Sequence, residues 1–433
     1  MSAPTEPASP AADTATGAPP AMAGRAYLRL VALGAVIGIP AALMGAGFLG
    51  FVHELEDWLW RVLPGDPGQE PAYLVLGLPV AGALIVLLAR RLLPGDGGHR
   101  PLEGLSAKPT PLSHAPGVAL AAIGSLGFGA VLGPEAPVIA LGSVVGVAMA
   151  RLARLDERAT TVLGTAGSFS AISALFGGPL VAGMLMVEGA LAMGSRVLGI
   201  LLPGLVAAAI GYLIFVGLGD WGGLNAPGLV VGDLPAYEGT HVLDLLVGLG
   251  VGVVTALLIV WVRGTATRIE GEGTRRLGMP ALLLAGGLAV GALAELADLL
   301  GATSQDVLFS GQASVPVEVS ADTTKVVLIL LVAKTLAYAV SLGCGFRGGP
   351  IFPAVFMGVG LASLPVVWFD TSPTLAVAVG AAAGMAAQTR LLFAPLLFAT
   401  LLVGKAGLDA TPAAVLAAAA AWLTIAALPR VGQ

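Results

Sequence analysis

One ionisable side chain stands inside sequence that is otherwise apolar enough for a membrane. Glu135 lies in Gly133-Pro-Glu-Ala-Pro137, with the apolar run 118–132 before it and 138–150 after it. A carboxylate at that depth is costly, and by default it marks an ion or proton pathway. Pro134 and Pro137 bracket it, and proline interrupts the hydrogen-bond ladder of a helix. Broken backbone at membrane depth is tolerated only where protein buries it or where it lines a cavity. The plain alternative is a loop carboxylate at the membrane surface, and the apolar flanks and the Pro-x-x-Pro setting argue against it. Other charges read more plainly. Lys334 is expected to pair structurally or to reach toward the interface, and Asp244, Glu295 and Asp298 fall near segment ends, where water can solvate them. Trp58, Trp60, Trp221 and Trp422 read as interface anchors.

The elements that must position Glu135 follow from composition. Of 433 residues 57% are hydrophobic and 11% charged, against about 25% charged in a soluble domain. The chain is therefore expected to be an all-α polytopic membrane protein of the cell membrane, with the lipid bilayer as its main partner. The formal charge of −5 is small and points to no nucleic acid. A lone cysteine, Cys344, excludes an internal disulfide and a cysteine-based metal cluster, and its plain reading is a small buried residue at a helix end. The four histidines (His53, His99, His114, His241) are scattered at segment ends, so neither a metal nor a cofactor is expected.

Residues 1–24 are rich in Ala, Pro, Thr and Ser without a basic start, and are expected to form a disordered tail ahead of one integral membrane domain, 25–430. Apolar runs at 27–52 and 73–89 are long enough to span. The pieces at about 116–132, 137–152, 159–176 and 179–193 fall short of the roughly 20 residues a full span needs, so they read as half-helices or tilted ones. After a full run at 241–262, the basic and acidic residues between Arg263 and Arg276 read as a charged loop. That cluster and Arg151, Arg154 and Arg158 would face the cytoplasm under the positive-inside rule. The second half then repeats the plan, with halves at roughly 71–218 and 280–428. A second break, Gly348-Gly-Pro-Ile-Phe-Pro353, answers the first, and 42 positions separate both Pro137 from Pro179 and Pro353 from Pro395. Repeats of this kind place a substrate site near the membrane midplane. Broken helices there aim positive N-terminal ends inward, which favours an anion.

These motifs resemble the CLC family of chloride channels and proton-coupled anion antiporters. Gly133-Pro-Glu-Ala-Pro137 is similar to the family's G-R-E-G-P, with Glu135 at its gating glutamate. Gly348-Gly-Pro-Ile-Phe-Pro353 with Gly358 is similar to G-G-x-F-x-P-x-x-x-x-G, except for Ile351 at the Phe position. Leu105-Ser-Ala-Lys-Pro109 is a weaker match to G-S-G-I-P and keeps Ser106. The resemblance spans roughly 30–428. It implies an inverted-repeat fold of broken and tilted half-helices and a homodimer with one pathway per subunit. It implies chloride or another small anion held by Ser106, Gly133, Ala136, Gly349, Ile351 and Phe352, with the Glu135 carboxylate standing in the path as a surrogate anion. Protons are a further expected partner: the alignment of Pro179-Leu180 puts Glu188 at the first of two adjacent family glutamates, with Gly189 at the other. Glu188 is then either a proton carrier or a helix-end carboxylate. Pro134 and Pro350 lack an amide that the family pattern would offer the anion, and no tyrosine follows Tyr338, so the family's pore tyrosine is missing.

Three readings remain open from sequence: a glutamate-gated anion transporter coupled to protons, a passive anion channel, and a non-conducting homologue. Fluoride exchange ranks below chloride. An enzyme is not expected, because a nucleophile–base pair or metal ligands would be needed at depth and neither His nor Cys lies near Glu135 in sequence.

Overall fold

Lipid offers the backbone no hydrogen bonds, so each apolar segment must close its own. The computed structural model of the chain is helical accordingly. It describes residues 24–65, 70–104, 108–189, 196–224, 231, 232, 234–319 and 323–428. Ser106 and the tail through residue 23 lie outside the described residues. No extended strand occurs among the described residues, only isolated bridges.

In chain order the helices are α1 (Arg25–Asp57), α2 (Ala72–Leu92), α3 (Ala115–Leu126), α4 (Glu135–Leu152), α5 (Glu157–Leu175), α6 (Pro179–Gly189), α7 (Arg196–Val216) and α8 (Val242–Leu300). They continue with the short α9 (Ser304–Val307) and α10 (Val315–Val319), then α11 (Thr324–Gly343), α12 (Ile351–Phe369), α13 (Pro373–Thr389), α14 (Phe393–Val403) and α15 (Thr411–Ala427). Eight helical stretches of the described residues are long and apolar enough to cross a membrane.

The repeat is deeper than the sequence halves suggested. Glu135 and Ile351 lie 216 positions apart, and the same shift carries α4 onto α12, α5 onto α13, α6 onto α14 and α7 onto α15. It also carries α1 onto the first arm of α8. Small residues let the crossing helices approach: a Cβ on Gly142 would lie 2.5 Å from the Gly167 carbonyl oxygen between α4 and α5, and one on its counterpart Gly358 would collide with the Gly380 carbonyl between α12 and α13. Such close backbone approach is how helices associate where the hydrophobic effect cannot drive them together.

Three expectations are corrected. The charged stretch 263–276 is not a loop. It continues α8 to Gly278, whose φ of 75° kinks the helix before Pro280; charged residues can stay helical when the helix runs past the apolar layer. Trp60 is not an interface anchor. It is buried and its Nε1 donates to the Gly127 carbonyl at 3.1 Å, whereas Trp58 and Trp221 are exposed. Asp244 is not solvated: it is buried, accepts the His241 backbone N–H at 2.9 Å and accepts the Tyr237 hydroxyl, which fixes the start of α8. Cys344 sits at the end of α11 and is buried, as its plain reading held.

Replacing Gly358 with alanine should lower stability by about 1–3 kcal/mol through overpacking, read as a lower unfolding midpoint in detergent. Gly50→Ala, whose Cβ meets open space, should not lower it.

Candidate functional site

The two proline breaks meet face to face. Gly133 N–H donates to the Gly349 carbonyl at 2.7 Å, and Gly349 N–H donates back to the Gly133 carbonyl at 2.5 Å. Pro134 and Pro350 follow as the N-caps of α4 and α12, at nearly the same backbone angles (φ −82°, ψ −5° and φ −97°, ψ −1°). Glu135 and Ile351 are then the first helical residues, so two helix N-termini converge on one point. Each carries unpaired amides and a partial positive charge.

The backbone leading into each break is closed by a serine from the other half. Ser341 Oγ on α11 accepts the Val131 N–H at 3.0 Å, and Ser125 Oγ on α3 accepts the Arg347 N–H at 2.9 Å. Ser125 and Ser341, like Val131 and Arg347, are related by the same shift as Glu135 and Ile351. Sequence reasoning missed this exchanged pair; applying the repeat shift upstream of the breaks would have found it. Buried backbone donors must be satisfied, and here the broken helices do so across the repeat interface.

Glu135 has no solvent exposure. Its Oε1 accepts the Ile351 N–H, and the amides of Phe352 and of Glu135 itself face the same carboxylate. Its Oε2 is buried with no hydrogen-bond partner. A Cβ on Gly133 or on Gly349 would collide with the carboxylate, so both glycines make room for it. Their expected role was to present amides to an anion, but those amides are engaged with each other's carbonyls. Ile351 and Phe352 do place their amides at the carboxylate. Ala136, the second residue of α4, is half-buried and lines a neighbouring cavity.

Aromatic and basic groups close the surroundings. The Phe352 ring stacks on Phe176 at 5.4 Å and 13°, and Phe398 packs edge-on against both. This apolar wall ties the Phe-Gly-Gly-Pro element of the first half to the start of α12. Tyr338, fully buried on α11, donates its hydroxyl to the Pro350 carbonyl at 2.8 Å. Sequence reasoning noted this tyrosine only as the last in the chain and missed its place at the break. One turn earlier, Lys334 is fully buried; its Nζ donates to the Asp306 and Leu308 carbonyls at 2.8 Å each and lies 4.5 Å over the Phe356 ring. That is the structural pairing its sequence suggested. Arg347 is buried and paired with Asp96, which also binds Arg90 at 2.8 Å.

Glu188 lies elsewhere. Its Oε1 accepts the Leu392 and Phe393 amides at 3.0 Å each and its Oε2 the Ala394 amide at 2.7 Å. It therefore caps the N-terminus of α14 from the end of α6, which is favourable for a negative group. Ser106, the remaining expected anion ligand, lies outside the described residues. Among the described residues no cluster of three or more His, Cys, Asp or Glu could hold a metal.

A family model described as voltage gated chloride channel matches residues 81–425. The protein YfeO of Escherichia coli O1:K1 is 31% identical over 343 residues, 77% of this chain and 78% of that protein, and YfeO of Escherichia fergusonii is similar at 31% over 344 residues, covering 77% of this chain and 78% of that protein. Among solved structures, a slow cyanobacterial chloride/proton antiporter superposes with a TM-score of 0.70 at 18% identity, covering 92% of this chain and 94% of that one. A CLC-type fluoride/proton antiporter superposes with a TM-score of 0.69 at 22% identity, covering 92% and 95%. At these identities the structures establish a shared fold.

The glycine pair generates a direct test. Gly349→Ala should push the carboxylate off the Ile351 amide, because its Cβ would occupy the carboxylate's place. A structure of the variant should show Glu135 displaced, and leaving the amide unpaired should cost about 1–3 kcal/mol of stability.

Proposed function

Since the chain belongs to the voltage-gated chloride channel family, the CLC family of membrane anion transporters, we propose that it carries small monovalent anions, chloride foremost, along a path that the Glu135 carboxylate opens and closes. The observation that supports this most is the seat of that carboxylate. A negative group belonging to the chain itself occupies the converging N-termini of α4 and α12 and takes the Ile351 amide. Helix N-termini are general anion sites, so a free anion of similar charge can use the same amides once the carboxylate leaves.

Protonation supplies the switch. A neutral carboxyl no longer attracts the helix ends, and the Ile351 and Phe352 amides are left for an incoming anion, with the amide of Ala136 beside them. Gly133 and Gly349 shape the space, and Ser106 remains the hydroxyl donor assigned by resemblance. Pro134 and Pro350 contribute no N–H, so the seat is lean in donors, each missing one worth about 1–3 kcal/mol. The working unit on this reading is a homodimer with one path per subunit.

A second reading, a passive channel without proton coupling, is favoured by the place of Glu188. Its carboxylate is held by three amides as the cap of α14, and Gly189 offers no second carboxylate beside it.

Reconstituted in liposomes, the protein should release chloride faster as pH falls, since acid removes the charge of Glu135. Glu135→Gln should give flux that no longer varies with pH. Flux of chloride, bromide, nitrate and fluoride no greater than from empty liposomes would sink the proposal. Recording pH and chloride together separates the two readings: a chloride gradient that moves no protons supports the passive path, and uphill proton movement locked to chloride overturns it.

A further inference from the structure

A cavity of about 670 Å³ opens between the end of α2, the turns of α8 that precede its kink at Gly278, and the backbone leading into the second break. That is the size of a small-molecule site, about 300–1,000 Å³. Arg90, Arg100, Arg275 and Arg347 line it against the carboxylates of Asp96 and Glu270. These residues come from α2, the connector after it, α8 and the break, and only the fold brings them to one wall. Glu135 is not among the lining residues.

The carboxylates around this wall are shared between arginines. Arg90 Nε lies 2.8 Å from Asp96 Oδ1, and Arg347 pairs with Oδ2 of the same residue. Arg275 Nη2 lies 2.6 Å from Glu272 Oε2, and Arg276 pairs with the same carboxylate. Arg100 is divided between Glu103, at 3.5 Å, and Glu270. A guanidinium carries five N–H donors, so these contacts leave donors on every arginine of the wall. Arg347 feels the excess of like charge most, being only 3% exposed. Burial and the Arg90 and Arg100 guanidiniums hold it down to about 10, and Asp96 pulls it up.

The ligand that fits is a compact polyanion. A halide is far smaller than the cavity. The planar fork of arginine matches phosphate oxygens two at a time. No aromatic side chain is among the described residues that line the cavity, so nothing there would stack on a nucleobase. The arginines fall into two groups, Arg90 and Arg347 around Asp96, and Arg100 and Arg275 beside the acidic residues of α8.

We propose that this cavity binds a ligand carrying two neighbouring phosphate groups, one held by Arg90 and Arg347 and the other by Arg100 and Arg275. The site is separate from the Glu135 seat and does not depend on what that seat carries. Its occupant braces the second break, because Arg90 Nη1 donates to the Gly345 carbonyl at 3.2 Å and the Arg347 backbone N–H, two residues before Gly349, is held by Ser125. The two phosphates can belong to a soluble diphosphate or to a lipid headgroup, since basic pockets between membrane helices take such headgroups.

The test uses the full chain, delipidated in detergent at low salt and without divalent cations. Pyrophosphate titrated calorimetrically should bind at one site per chain, and orthophosphate at least about tenfold more weakly, since it reaches only one arginine group. Arg100→Gln combined with Arg275→Gln, both exposed, should weaken pyrophosphate by about a hundredfold, as expected of two lost charge-assisted contacts. Arg151→Gln combined with Arg158→Gln, also exposed and outside the cavity, should leave it unchanged. Nanodiscs with and without cardiolipin separate the two sources: pyrophosphate excluded by cardiolipin identifies the lipid headgroup, and pyrophosphate indifferent to it identifies a soluble ligand, either of which upholds the site. No pyrophosphate binding to the delipidated chain, orthophosphate binding as tightly as pyrophosphate, or full affinity in the Arg100/Arg275 variant would each overturn it.

Discussion

A carboxylate without water needs donors, and two broken helices supply them only if their ends are held together. The Gly133–Gly349 pair does this holding. Its two reciprocal hydrogen bonds lock the two ends together, and the lack of side chains leaves room for the Glu135 carboxylate against both glycines. Proline after each glycine starts the next helix without presenting an orphan amide. Serines exchanged across the repeat close the amides just upstream. Parting the glycine pair or removing either serine leaves buried backbone groups unpaired, which is costly in a low-dielectric interior. The close glycine crossings of α4 with α5 and of α12 with α13 then fix the directions along which both helix ends point.

Much of this was legible in the sequence. The lone acidic residue between prolines, the second glycine–proline break and the matched 42-residue spacings are local features, and each has a direct backbone cause. They were enough to indicate a repeat and a central site on broken helices. What was not legible depends on contacts between distant segments. Ser125 and Ser341 look like ordinary small residues in apolar helices until the repeat shift pairs them with Arg347 and Val131. Tyr338 is one aromatic among apolar neighbours, and only the fold brings its hydroxyl to Pro350. Arg347 lies far along the chain from Arg90 and Asp96, so nothing in the sequence joins them.

The errors have a common origin as well. Apolarity alone marks the charged stretch 263–276 as a loop, but a helix needs lipid-compatible side chains only while it lies in lipid. By its chemistry alone tryptophan suits an interface, yet Trp60 is buried, with the Gly127 carbonyl satisfying its N–H. A position near a segment end suggests that water solvates Asp244, but that end is where a carboxylate can cap a helix. For Trp60 and Asp244 the partner decides the place of the polar group, and that partner is remote or lies across an element boundary.

The two prolines bear on how such a site can serve passage. At the N-cap, a proline loses no helical hydrogen bond, since the N-cap amide lies outside the helix ladder. The fold therefore bears no penalty at Pro134 or Pro350, and the loss falls wholly on whatever occupies the seat. The Glu135 carboxylate illustrates it: one oxygen takes the Ile351 amide and the other has no partner. A bound anion on the proposed path would meet the same shortage. A tether makes up for weak contacts in the case of the carboxylate, because its local concentration is fixed by the chain. A free anion has no tether, so it would be held briefly and would compete only when the carboxylate is neutral. On this reading, weak anion binding and control by Glu135 have a single structural cause.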